Sequence, residues 1–597
     1  MSTDEILHHL QAKNIALSIR NGRLVVRGEE QLVDDPALVS LLRENRQALI
    51  ELIQTGKYGE TGTPRRVSVP PNRIPAGCRA MTPEMLSMVA LTAAQIETLV
   101  AQVPGGVPNI QDVYPLTPLQ EGILFHHLMA DDDPYVLSGS VAFSSREDLD
   151  AALRALEAAL GRHDILRTAI FWEKLPEPLQ VVLRKAVLRV EEVSLDASAT
   201  DAVNELHQRF DGRRFKLDLH QAPLARVFIA YDQNERRWLL LLLLHHLVGD
   251  HATLALLQEE IEAYLQGRGG QLPAPVPFRN FVAEARLGVT KNEHETYFRQ
   301  MLGDVDEPTA PFGLLELHGD TPQVREAALD LPVEVALRIR RQARQHGVST
   351  ASLCHLAWAE VLARVSGRND IVFGTVLFGR MNSSEGVDRV MGPCINTLPL
   401  RIRIDRQEVA EEVRHTHKLL AELVRHEHAS LALAQRSSAV PAPTPLFSSI
   451  LNYRHSTVTP ADRTGKRLQW VGAEERTNYP VTLSVDDLGV GLRLAAQVFE
   501  PIDPIRICRL METALARVAS ALEQAPKTPL NTLDVLPAEE RRLVLYGWND
   551  TAAPFTTDAC VHQLFEKEAV RSPEAVALVF EGRQLCYDEL NRRANQL

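Results

Sequence analysis

His245-His246-Leu247-Val248-Gly249-Asp250-His251 follows Trp238 and an unbroken leucine run at 239–244, and this junction decides the fold. An apolar run without alternation, bounded by Arg236 and Arg237 upstream and by a glycine downstream, predicts a strand buried on both faces. Behind it Leu254, Leu257, Ile261 and Leu265 recur at helical spacing, so the histidines fall in a strand-to-helix turn at the rim of a sheet, where a cleft can form. Two adjacent imidazoles followed by a carboxylate suggest one positioned base and one orienting acid. The plain alternative is a helix start in which Asp250 is the N-cap and the histidines are incidental.

Working outward, 597 residues exceed what one core can hold, and three or four domains are expected. Hydrophobic residues at 45% and charged residues at 24% fit an ordinary soluble globular chain. A net charge of −13 without a basic face, and a low aromatic content, argue against a nucleic-acid partner. No apolar run approaches the length of a membrane span, and Met1 to Glu5 is unlike a secretory leader. Six cysteines lie far apart without a CxxC pair, which favours reduced thiols and a cytoplasmic location. His415/His417 and His426/His428 sit at i,i+2 in helical stretches, on different faces, and this argues against metal ligation.

Residues 1–58 read as a small αββα unit. Ser2 and Glu5 have capping-box spacing. Asn21-Gly22 lies between alternating runs at 15–19 and 24–26, a hairpin signal because a type I′ turn needs positive φ at both central residues. Asp35-Pro36 then opens a second helix. This block resembles the N-terminal docking domain of the tubulysin-synthetase type. The resemblance implies that a C-terminal docking segment of an upstream carrier-protein subunit adds along the hairpin. So small a unit also suits self-association as a homodimer; the alternative is an accessory domain with neither role. Proline-rich residues 59–109 read as a linker with one short helix near 94–103.

From residue 110 onward the motifs are specific. Tyr114-Pro115-Leu116-Thr117-Pro118-Leu119-Gln120-Glu121-Gly122, Arg162-His163-Asp164-Ile165-Leu166-Arg167-Thr168, the HHxxxD of His245 to Asp250, Met391-Gly392-Pro393-Cys394-Ile395-Asn396-Thr397 and Thr444-Pro445-Leu446-Phe447 occur in order. HHxxxD alone recurs in unrelated chains; the ordered set resembles a condensation domain of a nonribosomal peptide synthetase. The resemblance implies an α/β (α+β) fold of two chloramphenicol-acetyltransferase-like lobes, placed at 110–275 and 276–527, with the active site between them. Residues 528–560 resemble the linker to an adenylation domain, and 561–597 that domain's first, truncated part. No Gly-rich ATP loop or carrier serine motif is visible, so the expectation is one piece of a longer synthetase.

The implied reaction joins two substrates carried on 4′-phosphopantetheine arms, with no intrinsically bound cofactor and no metal. The implied partners are an upstream carrier and the downstream adenylation and carrier domains of the same synthetase. An α-amine has a pKa of about 8, so no strong base is needed, and holding amine and carbonyl about 3 Å apart supplies much of the acceleration. His246 is the candidate to accept the amine's proton, with His245 more structural. The resemblance makes Asp250 an ion-pair member with Arg380 and gives Asn396 an orienting place. His251 stands where the family usually has glycine. Its ring either points away at the helix start or adds a third acid–base group.

A subclass that both epimerises and condenses also resembles this chain. The likeness lies at Gln111-Asp112-Val113-Tyr114-Pro115, Asn452-Tyr453-Arg454-His455-Ser456 and Asn478-Tyr479-Pro480. His126-His127-Leu128, followed by Asp131-Asp132-Asp133, resembles that subclass's extra element, one residue short and with aspartate for glycine. Exchange at Cα needs acid and base on opposite faces; His246 with His251, His126 or His127 would supply them. The alternatives are condensation without epimerisation, a starter domain using acyl-CoA, and a non-catalytic docking platform.

Overall fold

The computed structural model describes residues 67–597 except 130–132, 134, 197–200, 212–214, 316–323, 380–388, 456–467, 475–478 and 555–557, and before them the strands Ala16–Arg20 and Arg23–Arg27. These two strands pair antiparallel with Arg20 opposite Arg23, the register of a two-residue connection. The helices expected on either side, and the docking domain built from them, lie outside the described residues. The chain divides into two compact units, 1–535 and 536–597.

The larger unit holds a first lobe built on a five-stranded sheet, in the order Gln469–Glu474, Val136–Phe143, Arg237–His245, Ala225–Asp232, Arg189–Glu192. Its central strand is buried on both faces, as the leucine run predicts. Leu240, Leu242 and Leu244 pack with Leu149 and Leu156 of the helix Arg146–Arg162 and with Leu257 and Ile261 of the helix His251–Leu265. Leu239, Leu241 and Leu243 pack on the other face with Leu206, Phe210 and Phe228. Each such leucine contributes about 1.5–3 kcal/mol by leaving water. The second lobe carries a six-stranded mixed sheet, Val324–Asp330, Leu492–Phe499, Val481–Asp487, Ser449–His455, Asp370–Phe378, Ile395–Arg403. The helix Thr350–Ser366, buried at every position from Ser352 to Ala363, packs against it.

Three boundaries differ from the expectation. The strand Gln469–Glu474, from the second half of the chain, pairs with Val136–Phe143 and completes the first lobe's sheet. The division at 275/276 therefore separates the chain but not the sheets. An open edge at Val136–Phe143 would leave its backbone groups unpaired, and a partner some 330 residues away leaves no local pattern. Within the expected linker, Ile74, Leu86, Val89, Leu91, Ile96, Leu99 and Val103 are buried against Val113, Phe171 and Val181; the prolines give extended backbone, but the apolar residues between them anchor it. Leu530, Leu533 and Val535 are likewise buried, beyond the expected end at 527.

Among the described residues no helix is long and apolar enough to cross a membrane. The smaller unit comprises the helices Ala538–Arg542, Val561–Arg571 and Tyr587–Ala594 and the hairpin Val576–Phe580/Arg583–Cys586.

Candidate active site

Because successive strand residues point to opposite faces, the end of Arg237–His245 separates its two histidines. His245 is fully buried, and its Nδ1 accepts the Leu247 N–H at 3.1 Å. Its Nε2 therefore carries the proton and donates to Asp133 Oδ2 at 3.0 Å. The Nδ1 of His127 meets the same oxygen at 2.6 Å, and Asp133 Oδ1 accepts the Tyr135 N–H at 3.1 Å. Burial works to raise the Asp133 carboxyl, but hydrogen bonds from His127 and His245 outweigh it and hold the group well below the usual carboxylate range. Burial pushes the His245 imidazole down, with Asp133 opposing. These three side chains are the described group whose ligand-type atoms converge most nearly like a metal site. Two imidazoles already bonded to one carboxylate oxygen make it a hydrogen-bonded trio.

His246 is half-buried, and its N–H donates to the Tyr135 carbonyl at 2.8 Å. The turn after it is held from three sides. Gln120 Nε2 donates to the Leu247 carbonyl at 2.7 Å. Asp250, fully buried, is the N-cap of His251–Leu265: its Oδ1 accepts from Thr253 N and Thr253 Oγ1, both at 2.9 Å. Its Oδ2 accepts the Cys394 N–H of the second lobe at 3.2 Å, and Thr253 Oγ1 accepts the Gly392 N–H at 3.0 Å. Gly392 has φ +133°, and a Cβ there would lie 2.5 Å from the Phe278 ring, so the clasp needs glycine at that position.

The plain alternative for Asp250, an N-cap, is thus present, and the same carboxylate also ties the two lobes together. Arg380, its expected ion-pair partner, lies outside the described residues. His251 is the first helical residue and is exposed. His126 is exposed on the helix Pro118–Met129, its ring 5.9 Å from that of Tyr135, whereas His127 is buried under Asp133. Asn396 Nδ2 donates to the carbonyls of Glu427 and Ala429, both at 2.7 Å, orienting that loop.

Other flagged stretches bind the scaffold together. Asp112 pairs with Arg279 at 2.6 Å, Asp164 accepts the Phe278 N–H at 3.0 Å, and Tyr453 donates to Asp487 at 2.5 Å. Tyr135 and Thr253 were not legible as site residues, and Asp133 stood in the stretch 126–133 without a role of its own. Gln120 lies inside the motif at 114–122, but its role depends on a contact 127 positions away. An Asp133→Ala substitution strands two buried imidazoles and one N–H, and is expected to cost about 3 kcal/mol, read from the denaturant midpoint. Because the folded carboxyl is depressed, this stability is present above the unfolded pKa of about 4 and is lost as pH falls below it toward the folded value.

The family model for the condensation domain matches residues 110–545. This chain belongs to the condensation-domain family. Malpinin synthetase of Mortierella alpina is 50% identical over 540 residues, which is 90% of this chain but only 7% of that relative. In fold, the condensation domain is similar to the EpoB NRPS cyclization-docking bidomain of Sorangium cellulosum (TM-score 0.59, 18% identity, 88% of this chain and 100% of that one). It is also similar to the first condensation domain of the calcium-dependent antibiotic synthetase in complex with a substrate analogue (TM-score 0.56, 19% identity, 72% and 100%). The chloramphenicol-acetyltransferase-like fold is that of the family.

Proposed function

We propose that this condensation domain joins a donor thioester to the α-amine of an acceptor thioester, both held on phosphopantetheine arms of carrier proteins. The observation that carries this reading is the placement of His246. A half-buried imidazole stands at a strand end, and its turn is fixed by Gln120, by Asp250 and, through Tyr135, by Asp133. The amine nitrogen attacks the donor carbonyl and the C–S bond breaks. His246 takes the ammonium proton, and the departing thiolate recovers a proton as the pantetheine thiol. A base of ordinary strength suffices, because the amine's pKa is about 8.

Epimerisation of the donor before condensation is a second reading, and His126 favours it. Its exposed imidazole abuts the same Tyr135 ring that His246 abuts, which offers a second proton-transfer group beside the first. His127 is a poorer candidate, since Asp133 already engages its Nδ1. The test loads the upstream carrier with a peptide ending in an L-residue and runs the reaction in D2O. A D-configured product with about one deuterium at that Cα is expected from exchange of the single Cα proton; retained hydrogen with an L-product removes epimerisation and leaves condensation.

The paired strands Ala16–Arg20 and Arg23–Arg27 supply the edge to which an upstream docking segment would add. For residues 561–597 we favour the opening of an adenylation domain: Val576, Leu578, Val579 and Phe580 are all exposed, so both faces of that strand suit further packing. Downstream adenylation and carrier domains are then the partners in cis.

A further inference from the structure

We propose that Tyr135 is a positioning residue that fixes the imidazole of His246 for the reaction; this rests on His246 being the proton acceptor. Val136 pairs with His245 in the antiparallel ladder, which makes Tyr135 the cross-strand neighbour of His246 just past the last pair. Both ends of its backbone are held: its N–H donates to Asp133 Oδ1 at 3.1 Å, and its carbonyl accepts the His246 N–H at 2.8 Å. Its ring stands edge-on to the His246 imidazole, with centroids 6.4 Å apart and planes at 83°, an arrangement favoured between aromatic rings. On another side it meets His126 at 5.9 Å.

The torsion that orients an imidazole about its Cβ–Cγ bond is broad. A backbone hydrogen bond places the His246 Cα but does not by itself set that torsion. The Tyr135 ring is a wall that favours one orientation, and the backbone that carries it is held by Asp133. The carboxylate holds the Tyr135 backbone and the Tyr135 ring flanks the acceptor imidazole.

The test uses the full chain with loaded donor and acceptor carriers, comparing Tyr135→Leu, Tyr135→Phe and His246→Ala. Tyr135→Leu is expected to lower kcat about 10- to 100-fold through misplacement of the imidazole, with KM within about twofold, and to shift the pH–rate profile of the remaining activity. Tyr135→Phe, which keeps the ring, restores most of the lost rate. Three outcomes overturn the proposal: a Leu variant at the parent rate, a loss that follows the folded fraction with an unchanged pH profile, or a Phe variant as slow as Leu. If His246→Ala is fully active, the functional reading itself fails and this proposal falls with it. If His246→Ala is inactive while Tyr135→Leu is normal, only the present inference falls.

Discussion

His246→Ala is expected to lower amide formation by about 10²- to 10⁴-fold, the range typical of a positioned acid–base group, while the fold stays intact. The asymmetry follows from where the two histidines lie. His245 is fully buried and bonded to Asp133 and Leu247, so its loss would leave a cavity and orphaned partners. His246 is half-buried, and the bond that places it runs through its backbone N–H, which alanine keeps. Truncation therefore removes the imidazole without removing the bond that holds the turn. Single-turnover product formation with loaded carriers, set beside the denaturant midpoint, separates the two effects. Parent-like turnover would take His246 out of the mechanism.

Asp250→Ala is expected to be among the most damaging structural changes at the site, costing about 3 kcal/mol and most of the activity with it. One carboxylate accepts from Thr253 N, Thr253 Oγ1 and Cys394 N, so alanine takes the cap from the buried Thr253 N–H and cuts the direct tie to Cys394, while Thr253 Oγ1 and Cys394 N keep the Gly392 carbonyl. Asparagine does not rescue it: one carboxylate oxygen becomes an NH2 group, and either way round a donor then faces a donor, the Thr253 N–H or the Cys394 N–H. Urea unfolding of both variants checks this, with Asn expected close to Ala. A variant that unfolds at the parent midpoint would show that the clasp contributes little.

How much of this was written locally is clear from particular residues. The leucine run at 239–244 predicted the central strand because six unbroken apolar residues need two covered faces, and the helix behind it followed from 3.6-residue spacing. The hairpin at 16–27 followed from Asn21-Gly22. Tyr135 was missed because its bond to His246 spans 111 positions, and Asp133, although inside the stretch 126–133, had no assigned role because its bond to His245 spans 112. Asp250 was expected either in an ion pair or as a helix N-cap; the cap to Thr253 is local and was legible, whereas the bond to Cys394 depends on how the second lobe's loop at 391–394 lies against the turn, which no local periodicity encodes. The anchoring of residues 74–103 was hidden by proline content, which marks extended backbone equally well in free and in packed segments.

The strand Gln469–Glu474 also bears on how such enzymes can be recombined. A chimaera that takes 110–275 from one parent and the remainder from another would import a foreign border strip against Val136–Phe143, two strands from the one that ends at His245. Swaps that carry 469–474 together with the first lobe are expected to yield working hybrids more often than swaps cut at the midpoint. The unit that folds around the first sheet is thus discontinuous along the chain.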